Sequence, residues 1–125
     1  MKRFDTRRFS PPAAVGNIKL QNPRKKSPVK VVEVQLDSGA DMTCLPKESI
    51  ESFSNLTYSM VRVKGYSGES QVCRTYFIDI IFNGYIFKYV QVIPIEDEIG
   101  FLGRDILNQL KTVLDGPKLK WQASK

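Results

Sequence analysis

The sequence predicts an all-β fold, a small domain of closely spaced hairpins with one or two short helices. Three observations predict it: runs of alternating apolar residues, a two-residue hairpin turn, and little helical spacing. Met1–Pro12 is a polar, basic lead-in ending in Pro11-Pro12, so residues 1–13 are expected as a flexible tail and 14–125 as the domain. Ala14–Leu20 reads as a first strand and Gln21–Pro28 as a turn-rich basic loop. In the next extended segment Lys30, Val32, Val34 and Leu36 share one side, opposite Val29, Val31, Glu33 and Gln35. Pro46 can open a short helix to about Phe53, because proline suits a first helical turn. Met60–Lys64 and Ser70–Phe82 are strand-like around the glycine-bracketed turn Gly65-Tyr66-Ser67-Gly68. Asn83-Gly84 is a strong hairpin signal, since both residues tolerate positive φ, and Tyr85–Ile95 returns as the partner strand. Ile106, Leu107 and Leu110 give Arg104–Leu110 helical spacing. Thr112–Leu114 and Lys118–Trp121 read as strands joined through Asp115-Gly116-Pro117.

Composition narrows the chemistry. The 125 residues include no histidine and two cysteines, which removes Ser-His-Asp and Cys-His catalysis and the usual ligands of zinc. No metal or cofactor is expected, and any acid–base chemistry falls to carboxylates. The net charge of +6 is uneven: residues 1–30 carry nine Lys/Arg against Asp5 alone, whereas the remainder nets −2. The basicity reads as a solvated tail and loop, so no nucleic-acid partner is expected. Met1–Pro12 lacks the apolar core of a signal peptide and no run is long enough for a membrane span. Cys44 and Cys73 read as free thiols of a cytoplasmic protein.

The segment Leu36-Asp37-Ser38-Gly39-Ala40-Asp41 carries the most information. It places an acid at the end of an apolar strand, then a hydroxyl, then a glycine that permits close approach of another chain. Alone, Asp-Ser-Gly is also an ordinary way out of a strand. A second segment, Ile99-Gly100-Phe101-Leu102-Gly103-Arg104-Asp105, puts Arg104 67 residues after Asp37. Together, in this order and with a glycine-bracketed hairpin between them, the two segments resemble the retropepsins, the aspartic proteases of retroviruses and their cellular and prokaryotic relatives. The resemblance spans about residues 14–115 and is closest in kind to free-standing prokaryotic members.

What the resemblance implies can be stated residue by residue. The fold would be a small closed-barrel-like lobe working as a homodimer on peptide substrates. Such enzymes use two carboxylates that share one proton. Asp79, Asp97, Asp105 and Asp115 lack a following Ser/Thr-Gly, so Asp37 would meet its twin on a two-fold axis. Ser38 would link the two active-site loops, Gly39 would allow their approach, and Ala40 in place of a hydroxyl residue would favour activity nearer neutral pH. Asp41 and Arg104 match an ion pair that braces the loop. Gly65, Tyr66, Ser67 and Gly68 would form a flap over substrate. Asp105 stands where many retroviral members have Asn. In retroviral members the post-helix strand interleaves with the partner's termini; here Thr112–Asp115 fits that strand but further residues follow it, so the resemblance does not define the form of the dimer interface. A catalytically silent dimerisation or peptide-binding module of the same fold is the alternative, and a nucleic-acid-binding β-barrel is a third reading.

Overall fold

Two apolar stripes nucleate the core. In β2 (Val15–Asn22) Ile18 and Leu20 point inward, and in its antiparallel partner β3 (Lys25–Leu36) Val32, Val34 and Leu36 do the same. Period-two alternation puts these residues on one face, so pairing in register buries all of them together. The computed structural model describes residues 1–64 and 68–125. The further elements are β1 (Lys2–Arg3), β4 (Cys44–Pro46), α1 (Lys47–Glu51), β5 (Tyr58–Lys64), β6 (Ser70–Phe82), β7 (Tyr85–Ile95), β8 (Gly100–Leu102), α2 (Arg104–Leu107), β9 (Lys111–Asp115) and β10 (Lys120–Ser124).

One sheet runs β2-β3-β8-β4-β7-β6-β5, and an additional β2–β6 pairing closes it into a barrel-like ring with β5 hanging outside. Closure removes the open edges that a flat sheet would expose. Ile78, Ile80 and Phe82 of β6, Phe87 and Val92 of β7, Leu45 and Leu102 fill the interior, with Ile50 and Ile106 from the helices. The β6–β7 turn uses Asn83 and Gly84, both at positive φ, as the sequence predicts. A bulge between Ile78 and Ile80 is held by buried Asp79, whose Oδ1 accepts the Tyr89 N–H at 2.8 Å.

A smaller sheet, β1-β10-β9, covers one end of the barrel. Its Trp121 is fully buried and stacks on Phe82 with ring centroids 6.0 Å apart. Gly16 makes room for that indole, since a Cβ there would lie 2.8 Å from Trp121 Cζ2. The post-helix strand β9 pairs with β10 of its own chain and forms the edge of this sheet.

Three local expectations change. The basic loop at 21–28 is mostly strand: β2 continues to Asn22 and β3 starts at Lys25. Side-chain bonds support this, with Gln21 Nε2 donating to the Lys26 carbonyl and Asn22 Oδ1 accepting the Arg24 N–H, each at 3.0 Å. The second helix stops at Leu107, and residues up to Leu110 continue as tight turns. The lead-in is also engaged, since Lys2 and Arg3 pair with Trp121 and Lys120, and Asp5 bridges to Ala13.

Charge fastens that lead-in. Arg8 presents its guanidinium to Glu33 through two bonds of 2.9 and 2.6 Å and donates Nε to Asp5 at 2.6 Å. Hydrogen bonds from the Arg8 backbone and side chain hold Asp5 below its ordinary 3.8, and the Arg8 side chain holds Glu33 below its ordinary 4.5. A depressed carboxylate pKa stabilises fully above the ordinary value and stops doing so as pH falls through the lowered one. The fastening should thus persist at neutral pH and loosen on acidification below the usual carboxylate range. The pairs are partly exposed, so salt should weaken them. By carboxyl-carbon NMR titration, Glu33 should titrate below 4.5 in the native chain and return towards 4.5 in Arg8→Ala. An unchanged midpoint in Arg8→Ala would refute the assignment.

Candidate active site

The site is built where β3 ends beside β8. Leu36 and Leu102 are parallel partners, and the Asp37 N–H donates to the Leu102 carbonyl at 2.9 Å. The chain then turns sharply, with the Ala40 N–H reaching the Asp37 carbonyl at 3.2 Å. Gly39 N–H donates to Asp37 Oδ1 at 2.9 Å, which orients the carboxylate; no hydrogen bond engages its other oxygen among the described residues. Ser38 and Gly39 are exposed at the tip and Asp37 is half-buried behind them.

Two glycines of the second segment let this loop cross β8. A Cβ at Gly103 would fall 2.8 Å from the Met42 carbonyl carbon and 2.9 Å from the Ala40 oxygen, and one at Gly100 would fall 2.6 Å from the Cys44 oxygen. No side chain fits at either place. Arg104 then ties the loop down. Its backbone N–H donates to the Ala40 carbonyl at 2.8 Å, Nη1 to the Ser38 carbonyl at 2.8 Å, and Nη2 to Asp41 Oδ1. Asp41 is 83% exposed, so Coulomb attraction alone is screened. The brace comes from one guanidinium spanning two points of the loop.

The sequence reading missed a second fastening, a clasp between Thr43 and Asp105. Thr43 N–H and Oγ1–H donate to the two Asp105 oxygens at 2.9 and 2.8 Å, and Thr43 Oγ1 accepts the Gly103 N–H at 3.1 Å. The Ile106 N–H adds a bond to Asp105 Oδ1 at 2.9 Å. Thr43 is fully buried. Asp105 directly follows Arg104, but its partner lies 62 residues earlier, and a bond across that separation leaves no local pattern.

Beside the loop lies a hollow of about 600 Å³ lined by residues 39–42, Cys44, the β5 residues Val61, Arg62, Val63 and Lys64, and Ile93. Asp37 is outside this lining and is joined to it through its bond to Gly39. Burial, then the charges of Asp105 and Asp37 and the neighbouring Cys73, push the Cys44 thiol pKa up, so it stays protonated at neutral pH. The structure thus brings Asp37, Ser38, Gly39, Ala40, Asp41 and Arg104 into one loop assembly. Gly68 is exposed at φ +80, a conformation natural to glycine; Gly65, Tyr66 and Ser67 lie outside the described residues. Among the described residues no cluster of acids, cysteines or histidines could hold a metal, and no helix is long and apolar enough to cross a membrane.

This closed sheet, with the Asp37 loop crossed by the Gly103–Arg104 turn, defines a retropepsin fold, the fold of aspartic proteases. Among solved structures the chain is similar to EIAV protease in complex with an inhibitor, at 18% identity over 78% of this chain and 86% of that one, TM-score 0.58. It is also similar to simian foamy virus protease, at 15% identity over 74% and 92% of the two chains, TM-score 0.52. A retropepsin-like aspartic protease from Rickettsia conorii matches at 19% identity over 90% and 93%, TM-score 0.51. The sequence matches no protein-family model and no curated protein.

The clasp yields a stability prediction. Thr43→Val deprives Asp105 of a donor and the buried Gly103 N–H of its acceptor, which should cost about 1–3 kcal/mol in urea unfolding. Thr43→Ser keeps the hydroxyl and should cost about 1 kcal/mol less than Thr43→Val. A Thr43→Val form as stable as the native chain would show that these hydrogen bonds carry no net stability, since valine keeps the shape and packing of threonine.

Proposed function

We propose that the protein is an aspartic endopeptidase whose active site is completed when two copies bring their Asp37 residues together. The observation that carries this reading is the single Asp37, fixed by Gly39 at the end of a buried strand while Ser38 and Gly39 stand exposed beside it. The fold supports it, because it is that of aspartic proteases. One chain offers one Asp-Ser-Gly, and two like carboxylates in contact hold a single proton between them.

In the dimer the ionised carboxylate takes a proton from a water as its oxygen bonds to the peptide carbonyl carbon. The protonated carboxylate gives its proton to the carbonyl oxygen, yielding a neutral gem-diol. Collapse of that diol breaks the C–N bond as the now-protonated carboxylate gives its proton to the departing nitrogen and a diol hydroxyl returns a proton to the other carboxylate. Arg104 and the Thr43–Asp105 clasp contribute by holding the loop still, since rate depends steeply on placement of the reacting groups. The apolar wall of Met42, Val61, Val63 and Ile93 supports an extended peptide with apolar side chains near the cleaved bond. The unpaired thiols of Cys44 and Cys73 support a reducing cytoplasmic setting. The flap assigned to Gly65, Tyr66, Ser67 and Gly68 belongs to this proposal.

The native chain and Asp37→Asn should be incubated with a mixed peptide library between about pH 3 and 8, with and without a statine-type transition-state mimic. Cleavage should be lost in Asp37→Asn and blocked by the mimic. A confirmed dimer that cleaves nothing would overturn the proposal in favour of a silent peptide-binding module. Arg104→Ala should weaken dimerisation and activity together; full activity with an unchanged dimer constant by sedimentation would remove its bracing role.

A further inference from the structure

The net charge of −2 over residues 31–125 conceals a separation of signs. Glu48, Glu51, Glu96, Asp97 and Glu98 surround one hollow between α1 and the end of β7, where Lys47, 3.8 Å from Glu51, is the one cation of the lining. Cations gather elsewhere, on the outside of the β5–β6 hairpin. The register pairs Tyr58 with Tyr76, Met60 with Arg74, Arg62 with Val72 and Lys64 with Ser70, so these residues share one face. Val61 and Val63, on the opposite face, line the hollow beside Asp37. Among the described residues the outer face of the two paired strands holds Arg62, Lys64 and Arg74 and no acid, and Arg62 and Lys64 also contribute to the lining of that hollow.

Neutral groups position these guanidiniums without compensating their charge. Arg74 lies 4.3 Å over the Tyr58 ring, and Arg62 donates to Ser70 Oγ at 3.2 Å. The β2–β3 turn brings Arg24 to the same region, where it donates to Thr57 Oγ1 at 3.2 Å, next to Tyr58. Among the described residues none of Arg24, Arg62, Lys64 and Arg74 makes an ion pair. Tyr58 is 54% exposed although large and aromatic.

We propose that this face, extended by Arg24, binds single-stranded nucleic acid. Its cations would neutralise successive phosphates, while Tyr58 and the guanidinium planes offer stacking surfaces to unpaired bases. A duplex hides its base faces from such a surface, and an acidic peptide would leave Tyr58 without a role. A bilayer would find only Met60, Val72 and the tyrosine to insert. The proposal does not use Asp37 and stands or falls apart from the protease reading.

The test is fluorescence anisotropy with a labelled single strand of about 12 nucleotides, using full-length Asp37→Asn protein between about 50 and 200 mM salt. Binding should fall with salt at a log–log slope of about −3, as expected for about four neutralised phosphates on a single strand. Arg74→Glu should weaken it about tenfold or more, and the milder Arg62→Gln and Tyr58→Ala should each weaken it severalfold. Neutralising Lys2, Arg3 and Arg7 together should change it by no more than about twofold. Circular dichroism establishes that each variant is folded. The proposal is overturned by absence of binding at low salt, or by losses confined to the lead-in variant. Tighter binding to duplex DNA, to phosphatidylserine vesicles or to polyglutamate also overturns it.

Discussion

Everything at the candidate site depends on how closely the loop after Asp37 passes β8. Backbone meets backbone at Gly103 and Gly100, where any Cβ would overlap a carbonyl of the crossing segment. That contact brings Arg104 within reach of Ser38 and Asp41, and Asp105 within reach of Thr43. Hydrogen bonds then lock a crossing that packing alone would leave loose. Thr43 extends the effect into the sheet, since its carbonyl accepts the Ile93 N–H at 3.1 Å. The loop is therefore fixed from the helix side and from β7 together. A half-buried carboxylate just behind an exposed turn gains a defined direction by this means.

The barrel supplies the other half of that rigidity. Asp37 follows Leu36, whose neighbours Val34 and Val32 are packed among Ile18, Leu20 and Leu102. A strand anchored over that length cannot slip by one residue without turning its apolar face to water. The position of the acid along the strand is thus set by core packing and its orientation by the crossing. Core packing and loop geometry thus meet in one short segment.

Legibility in the sequence followed the range of the interaction. Alternating strands, the Asn83-Gly84 turn and the Asp37 and Arg104 segments are local patterns, and they were readable. The fold class followed from them. The Thr43–Asp105 clasp was not readable, because neither residue advertises a partner so far away in the chain. The β2–β3 turn was misjudged because its lysines and proline argue for a loop, whereas side-chain bonds from Gln21 and Asn22 favour pairing. The contacts of the lead-in leave no local pattern for a related reason: they need Glu33 and Trp121, one from the first third and one from the far end of the chain. Charge arithmetic failed differently. Summing signs over residues 31–125 gives almost nothing, while the fold sorts them onto separate faces.

The terminal sheet has a consequence for the order in which the molecule comes together. Because β1, β10 and β9 belong to one chain, Trp121 is buried against Phe82 and Gly16 without help from another copy. A protomer finished in this way has no unfilled core for a partner to complete. Folding would then be first order in the chain, while pairing of two Asp37 loops would be second order. Dilution would separate copies that remain folded, and the midpoint of unfolding would not move with protein concentration as it does for obligate dimers. Any pairing of two copies would then be a reversible event between finished molecules, set by how many of them are present.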